Sequence, residues 1–268
     1  MTASSATLLS TACRQRGTYM SGHSKWATIK HKKGAADKAR GKLFAKLIRQ
    51  VEVAAREGGG DPESNPTLRT MFQKARDNSV PLDTIERAIK RGTGELEGVT
   101  YEQITYEGYA SNGVAILIEV LTDNRNRTGS DIRSTLKKLG GSIAEPGAVS
   151  WQFERKGVVI LPRSVEEDDV MLAALDAGAE DLVDEGDTWR LTCAPGDLAA
   201  VRAALEEAGI AFDSAETTMV SSTTVALETA EAAKAVLRVI DALEDNDDVQ
   251  DVYANFDIPD EILQAVEA

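Results

Sequence analysis

The residues best suited to do chemistry stand together near the start of the chain, in "MSGHSKWATIKHKKGAADKARGKLFAKLIRQ" from Met20 to Gln50. Lys25, Lys30, Lys32, Lys33, Lys38, Arg40, Lys42, Lys46 and Arg49 are accompanied there by one acid, Asp37, and by Trp26 and both histidines of the protein, His23 and His31. Cations at this density attract phosphates whatever the base sequence, and an aromatic ring stacks on an unpaired base. Two plainer readings stand beside this one. A lysine run can simply solvate a helical face, and Trp26 can be an apolar plug that fastens the segment to the domain behind it. No Ser/His/Asp set, metal cluster or phosphate-cradling glycine loop accompanies the histidines, so they read as nucleic-acid-facing or capping residues and not as general bases.

A second group lies in "LTDNRNRTGSDIR", Leu121 to Arg133. An apolar strand ends here and a helix begins, which sets Arg125 and Arg127 at a junction where backbone N–H groups and positive side chains can hold phosphate. Equally, Asp123 and Asn126 can build the turn and cap while the arginines pair with neighbouring carboxylates. Acidic runs such as "EEDDV" (Glu166 to Val170) and "LEDNDDV" (Leu243 to Val249) read as helix ends or solvated loops and give no acid/base dyad.

The elements that must position these groups follow from periodicity. Residues 35–56 are expected to be helical, with Leu43, Phe44, Leu47, Ile48 and Val51 inward. At about 100° per residue, Lys38, Lys42, Lys46 and Arg49 fall within an arc of roughly 80° on the opposite face. The glycines of 58–60 end that helix, and Asn65-Pro66 offers a cap and first-turn proline for the next, in which Leu68, Met71, Phe72 and Ala75 are spaced as one face. A third helix follows in "VPLDTIERAIKRGTG". From Tyr101 the period changes to two: a hairpin across Ser111-Asn112, a helix with Ile132, Leu136 and Leu139 inward, and a strand in "AVSWQFERKG". The elements from "VVILP" to "AFDSAETTMV" spell βαββαβ, a ferredoxin-like order, and a last helix and strand could complete the unit before it.

The expected fold is therefore α+β: a basic helical domain at 20–93, an α+β domain formed by 94–157 with 222–268, and a ferredoxin-like domain at 158–221 inserted into it. Net charge sharpens this division. The protein carries −14 overall, yet residues 20–93 hold 16 Lys+Arg against 8 Asp+Glu, and residues 94–268 hold 12 against 36. A basic part of this kind suits a polyanion, and an acidic part keeps the chain soluble or meets something else. No apolar run approaches the roughly 20 residues of a spanning helix. Cys13 and Cys193 are far apart and form no metal-ligand cluster, so a reducing cytoplasm is the simplest compartment. Residues 1–19 contain arginine and no acid and read as a disordered extension or an over-called start upstream of Met20.

The quoted opening stretch, together with "ARDNSVPLDTIERAIKRGTGE", "YEGYASNGVAILIEVLTDNRNRT" and "GAVSWQFERKG", resembles the YebC/PmpR family of probable transcriptional regulators, which is related to a mitochondrial translational activator of cytochrome oxidase. The resemblance runs from Met20 to the C-terminus. It implies three domains, no enzymatic activity, no cofactor, and a nucleic-acid-facing tail at Gly22, His23, Lys25, Trp26, Lys30, Lys32 and Lys33. It also leaves two roles open: a DNA-binding transcriptional regulator, or a ribosome-associated translation factor that binds ribosomal RNA. Bottom-up, no recognition helix with base-reading residues is evident, so sequence-specific major-groove reading is not supported.

Overall fold

The structure is a computed structural model that describes residues 36–267. Helices α1 (Ala36–Gly58), α2 (Pro66–Asp77) and α3 (Leu82–Gly92) pack through one apolar cluster. Leu47, Val51, Ala54 and Ala55 of α1 bury against Leu68 and Ala75 of α2 and Ile85 and Ala88 of α3. Leu43 was expected inward and instead is 37% exposed. It sits at the edge of the inward arc, one turn ahead of Leu47, where the stripe runs out. Gly59 takes φ +89 and stops α1, as a left-handed residue after a helix does. Asn65 then caps α2 by accepting from the Leu68 N–H at 3.0 Å, while its amide donates to the Ala54 and Gly59 carbonyls at 2.8 and 2.9 Å.

Beyond a linker come β1 (Glu102–Tyr109), β2 (Ala115–Thr122), α4 (Arg125–Lys138), β3 (Ser142–Ile143) and β4 (Phe153–Pro162). Next are α5 (Glu167–Ala174), β5 (Ala179–Asp184), β6 (Thr188–Cys193), α6 (Leu198–Glu207) and β7 (Ser214–Ser221). The chain continues through β8 (Val225–Ala226), α7 (Ala230–Glu244), β9 (Val249–Ala254), β10 (Phe256–Asp257) and α8 (Asp260–Glu267). This is an α+β architecture. Among the described residues, Val158–Glu216 form one compact unit, and residues 36–157 with those from Thr217 onward form the other.

In the larger unit a sheet of order β3-β1-β2-β9 carries α4, α7 and α8 on one face. Strands β1 and β2 pair antiparallel from Glu102↔Thr122 to Tyr109↔Ala115. Their connection places Asn112 and Gly113 at φ 63 and 75, which an asparagine and a glycine tolerate. Strand β2 is apolar almost throughout because it is covered twice: Ile116, Ile118 and Val120 face the helices, and Ala115 and Leu117 pack with Val149 and Tyr253 on the other side. In the smaller unit the sheet order β5-β6-β4-β7, with α5 and α6 in the crossovers, is ferredoxin-like.

Two expected strands are drawn differently. "AVSWQFERKG" and "VVILP" are not separate: residues 150–152 make a 3-10 turn and Phe153–Pro162 is one strand running into the second sheet. The edge of the first sheet is instead the short β3, paired as Gly108↔Ile143 and Tyr109↔Ser142. The reason lies in Glu107, whose buried carboxylate accepts from the Gly147, Val149 and Ser150 N–H groups at 2.7, 2.6 and 3.0 Å. Those donors are turned away from any strand ladder. The expected final strand is likewise broken at Asn255, and α8 follows it.

Candidate nucleic-acid interface

Of the basic residues singled out from sequence, His23, Lys25, Trp26, Lys30, His31, Lys32 and Lys33 lie outside the described residues, and Lys38 is placed as part of helix α1. Lys42, Lys46 and Arg49 are fully described, and one element of the fold meets all three. It is the acidic turn Glu244–Asp248 at the end of α7. The Lys42 ammonium donates to the Asp245 carbonyl and to Asp245 Oδ1, both at 2.9 Å. Lys46 donates to the Glu244 carbonyl at 2.9 Å, and Arg49 Nη1 donates to the Asp247 carbonyl at 2.5 Å and to Asp248 Oδ1 at 3.1 Å. Three cations at i, i+4 and i+7 on one helical face thus collect five oxygens.

The physical reason is helix termination. The last carbonyls of α7 have no intrahelical donors, and they sit at the negative end of its dipole together with four acidic side chains. Cations are the favourable caps for such an end, and the ridge of α1 supplies them.

Asp248 is the deep point of this contact. It is 7% exposed, and its Oδ2 accepts from Thr128 Oγ1 at 2.6 Å, Arg127 Nη2 at 2.7 Å and Thr122 Oγ1 at 3.2 Å. Burial pushes its pKa up, but the Thr128 hydroxyl and the Arg127 and Arg49 guanidinium groups outweigh this and hold the carboxyl below its ordinary value. Arg127 also donates to Asp123 at 2.7 Å, and its own pKa is raised, chiefly by the hydrogen bonds to Asp248 and Asp123. Asn124 caps α4 by accepting from the Arg127 N–H at 3.1 Å. The cap that sequence assigned to Asp123 and Asn126 therefore belongs to Asn124, with Asp123 serving as an ion-pair partner. Arg125, the first residue of α4, is exposed and makes no ion pair among the described residues.

Behind this row, the buried Glu52 accepts from Arg91 Nε at 2.8 Å and lies 3.6 Å from Arg56, which in turn donates to the Val99 carbonyl. Gly98 approaches so closely that a Cβ there would lie 2.8 Å from Glu52 Oε1, so the linker is fitted to α1 and α3. Arg49 completes the joint by lying over the Tyr101 ring, 5.5 Å from its centre. Sequence reasoning missed Asp248, Glu52 and Glu107 because each sits in a pattern typical of exposed acids. The flanking Thr122 and Thr128, whose hydroxyls are 2.8 Å apart, were the available signal for a buried acceptor.

Among the described residues no group of His, Cys, Asp and Glu could hold a metal ion, and no helix is long and apolar enough to cross a membrane.

The comparisons with known proteins agree over nearly the whole chain. Residues 24–95 match the TACO1/YebC protein N-terminal domain, and residues 101–256 match the TACO1/YebC second and third domain. A "probable transcriptional regulatory protein" of Thermobifida fusca is 58% identical over 249 residues, covering 92% of this chain and 100% of that one. One of the same description from Halothermothrix orenii is 56% identical over 250 residues, covering 92% and 99%. The crystal structure of a conserved hypothetical protein from Aquifex aeolicus superposes with a TM-score of 0.76 at 45% identity, over 90% of this chain and 99% of that chain. With both family domains matched in order and relatives this similar along their full length, the chain belongs to the TACO1/YebC family.

Proposed function

We propose that this protein is a nucleic-acid-binding regulator of gene expression that grips phosphates through the basic face of α1 and the lysine-rich residues before it. The observation that carries this reading is the row of five oxygens gathered by Lys42, Lys46 and Arg49. A face that orders carbonyl and carboxylate oxygens along one helix has the donors and spacing to order phosphate oxygens. The description shared by the relatives, probable transcriptional regulatory protein, points the same way and favours DNA. The role proposed is binding, without catalysis.

A second reading, translational activation through ribosomal RNA, is favoured by α2 and α3. Their outward residues are mixed in charge, as in the Asp83–Arg87 pair, and the exposed Arg69 and Gln73 of α2 are held within the domain by the Pro62 and Glu63 carbonyls and by Asp77. A backbone-gripping basic arm suits structured RNA as well as duplex DNA.

Binding to duplex DNA and to single-stranded RNA, measured across a salt series, tests the mechanism. With about six phosphates neutralised, log K should fall against log salt with a slope near −5 for the duplex and a shallower one for the single strand. A slope near zero rejects the electrostatic grip. In-cell crosslinking followed by sequencing, with DNase and RNase controls, then decides between the two targets: discrete ribosomal RNA positions establish the second reading, and DNA surviving RNase the first.

A further inference from the structure

We propose that the acidic turn Glu244–Asp248 is a built-in competitor for the phosphate-binding face of α1, so that nucleic acid must displace it in order to bind. The proposal rests on the function argued above. A phosphate arriving at this face meets the turn already seated on it: two of the three Lys42 ammonium hydrogens, one of Lys46 and the Nη1 of Arg49 have acceptors there at 2.5 to 3.1 Å, and the oxygens that hold them stand where phosphate oxygens would have to lie. The turn also resembles the ligand it would exclude. Glu244, Asp245, Asp247 and Asp248 put four carboxylates into five residues and present a short row of oxygens to a row of cations.

The two sides of the contact are unequally held, which gives it two natural states. On the turn's side, Asp248 keeps Thr122, Thr128 and Arg127 whether or not α1 is present, since all three belong to β2 and α4. Asn246 Oδ1 further fixes the turn by accepting from the Asp248 N–H at 2.9 Å. The turn therefore retains its shape when α1 leaves. On the α1 side the outermost pair is open to water, the Asp245 side chain being 79% and that of Lys42 30% exposed, so it exchanges readily for another anion. The Asp247 side chain is exposed as well, and it repels any phosphate approaching the same face. A polyanion that supplies more than these few oxygens, engaging the preceding lysines too, wins by number, whereas an isolated phosphate does not.

The test uses the full chain and two fluorescein-labelled probes, a random-sequence DNA duplex and a single-stranded RNA of the same length. Asp245→Asn with Asp247→Asn removes two charges from the turn without touching its buried anchor. Glu228→Gln with Glu231→Gln makes the same charge change at the far end of α7. The turn variant is expected to bind about tenfold more tightly than the unaltered protein, the control to leave affinity unchanged, and Lys42→Ala with Lys46→Ala to abolish the gain. An equal gain in the control makes the effect one of net charge and overturns the proposal. No gain, while Lys42→Ala with Lys46→Ala still weakens binding, leaves the proposed function standing and overturns the competitor. If Lys42→Ala with Lys46→Ala changes nothing in either background, the proposed function itself fails and the competitor with it. On the unaltered protein, a zero-length carbodiimide crosslink between Lys42 and Asp245 should form in the free state and diminish as probe is added. A yield indifferent to saturating probe also overturns the proposal.

Discussion

Arg49 reaches the Asp248 carboxylate at 3.1 Å across 199 positions of sequence, and this bond ties the basic helix α1 to the α+β sheet. One oxygen of Asp248 serves α1, and the other serves Arg127, Thr128 and Thr122. The division allows the two attachments to be separated experimentally.

Asp248→Asn should do so. Its single remaining carbonyl oxygen satisfies Thr128 and Arg127 best, which turns the new amide toward the Arg49 guanidinium, donor against donor. Removing one charge from this partly buried cluster should destabilise the protein by about 2 kcal/mol, read as a lower urea midpoint with unchanged slope. The amides of α1 should also exchange faster with solvent. Unchanged stability would mean that the joint is ornamental.

Glu107→Gln should loosen residues 147–150. The carboxylate takes three backbone N–H bonds, and a carboxamide offers an oxygen to one side only, leaving N–H facing N–H on the other. A loss of about 2 kcal/mol is expected, with faster hydrogen exchange at Gly147, Val149 and Ser150.

The pH dependence has two opposing parts. Burial raises the Glu107 carboxyl pKa, but the N–H groups of Gly147, Val149 and Ser150 more than offset it, so Glu107, like Asp248, is held below its ordinary value. The stability these two contribute is complete at neutral pH and is lost as pH falls below about 4, through their folded-state values. Glu119 behaves oppositely: burial raises its pKa, and Asp251 adds to that against the pull of Arg155. Its contribution is present below its unfolded value and is lost as pH rises through the folded one. Acid titration of unfolding should therefore show a net loss below about pH 4, reduced in Glu107→Gln. An identical acid limb in that variant would refute the assignment to Glu107.

Asn65→Ala should cost about 2 to 3 kcal/mol, since it removes the α2 cap and leaves the Ala54 and Gly59 carbonyls without their donor. Asn65→Asp should not rescue it. A carboxylate can cap α2 but meets those two carbonyls with negative charge, and thermal unfolding of the three proteins compares them directly.

Much of this molecule was legible because the relevant signals are local. Asn65-Pro66 announces a capped helix, Ser111-Asn112 a turn, and the alternation of three-to-four and two residue periods separates helices from strands, since backbone geometry alone sets those periods. The apolar run of β2 likewise announces a strand, and the structure adds that it is covered on both faces. The charge asymmetry and the family resemblance were equally present in the sequence. The partners of the charges were not. "LEDNDDV" has the composition of a solvated helix end, and Glu107 alternates along β1 like any outward residue, yet Asp248 is 7% and Glu107 6% exposed. Whether a carboxylate is buried, and which cation it holds, depends on elements brought together from some 200 residues away, and no local period encodes that meeting. Periodicity and composition are enough to specify a basic helix with one polar face and an acidic α+β remainder, whereas it is folding that closes the last three cations of that face upon the protein's own acidic turn, because the dipole and bare carbonyls at the end of α7 attract them.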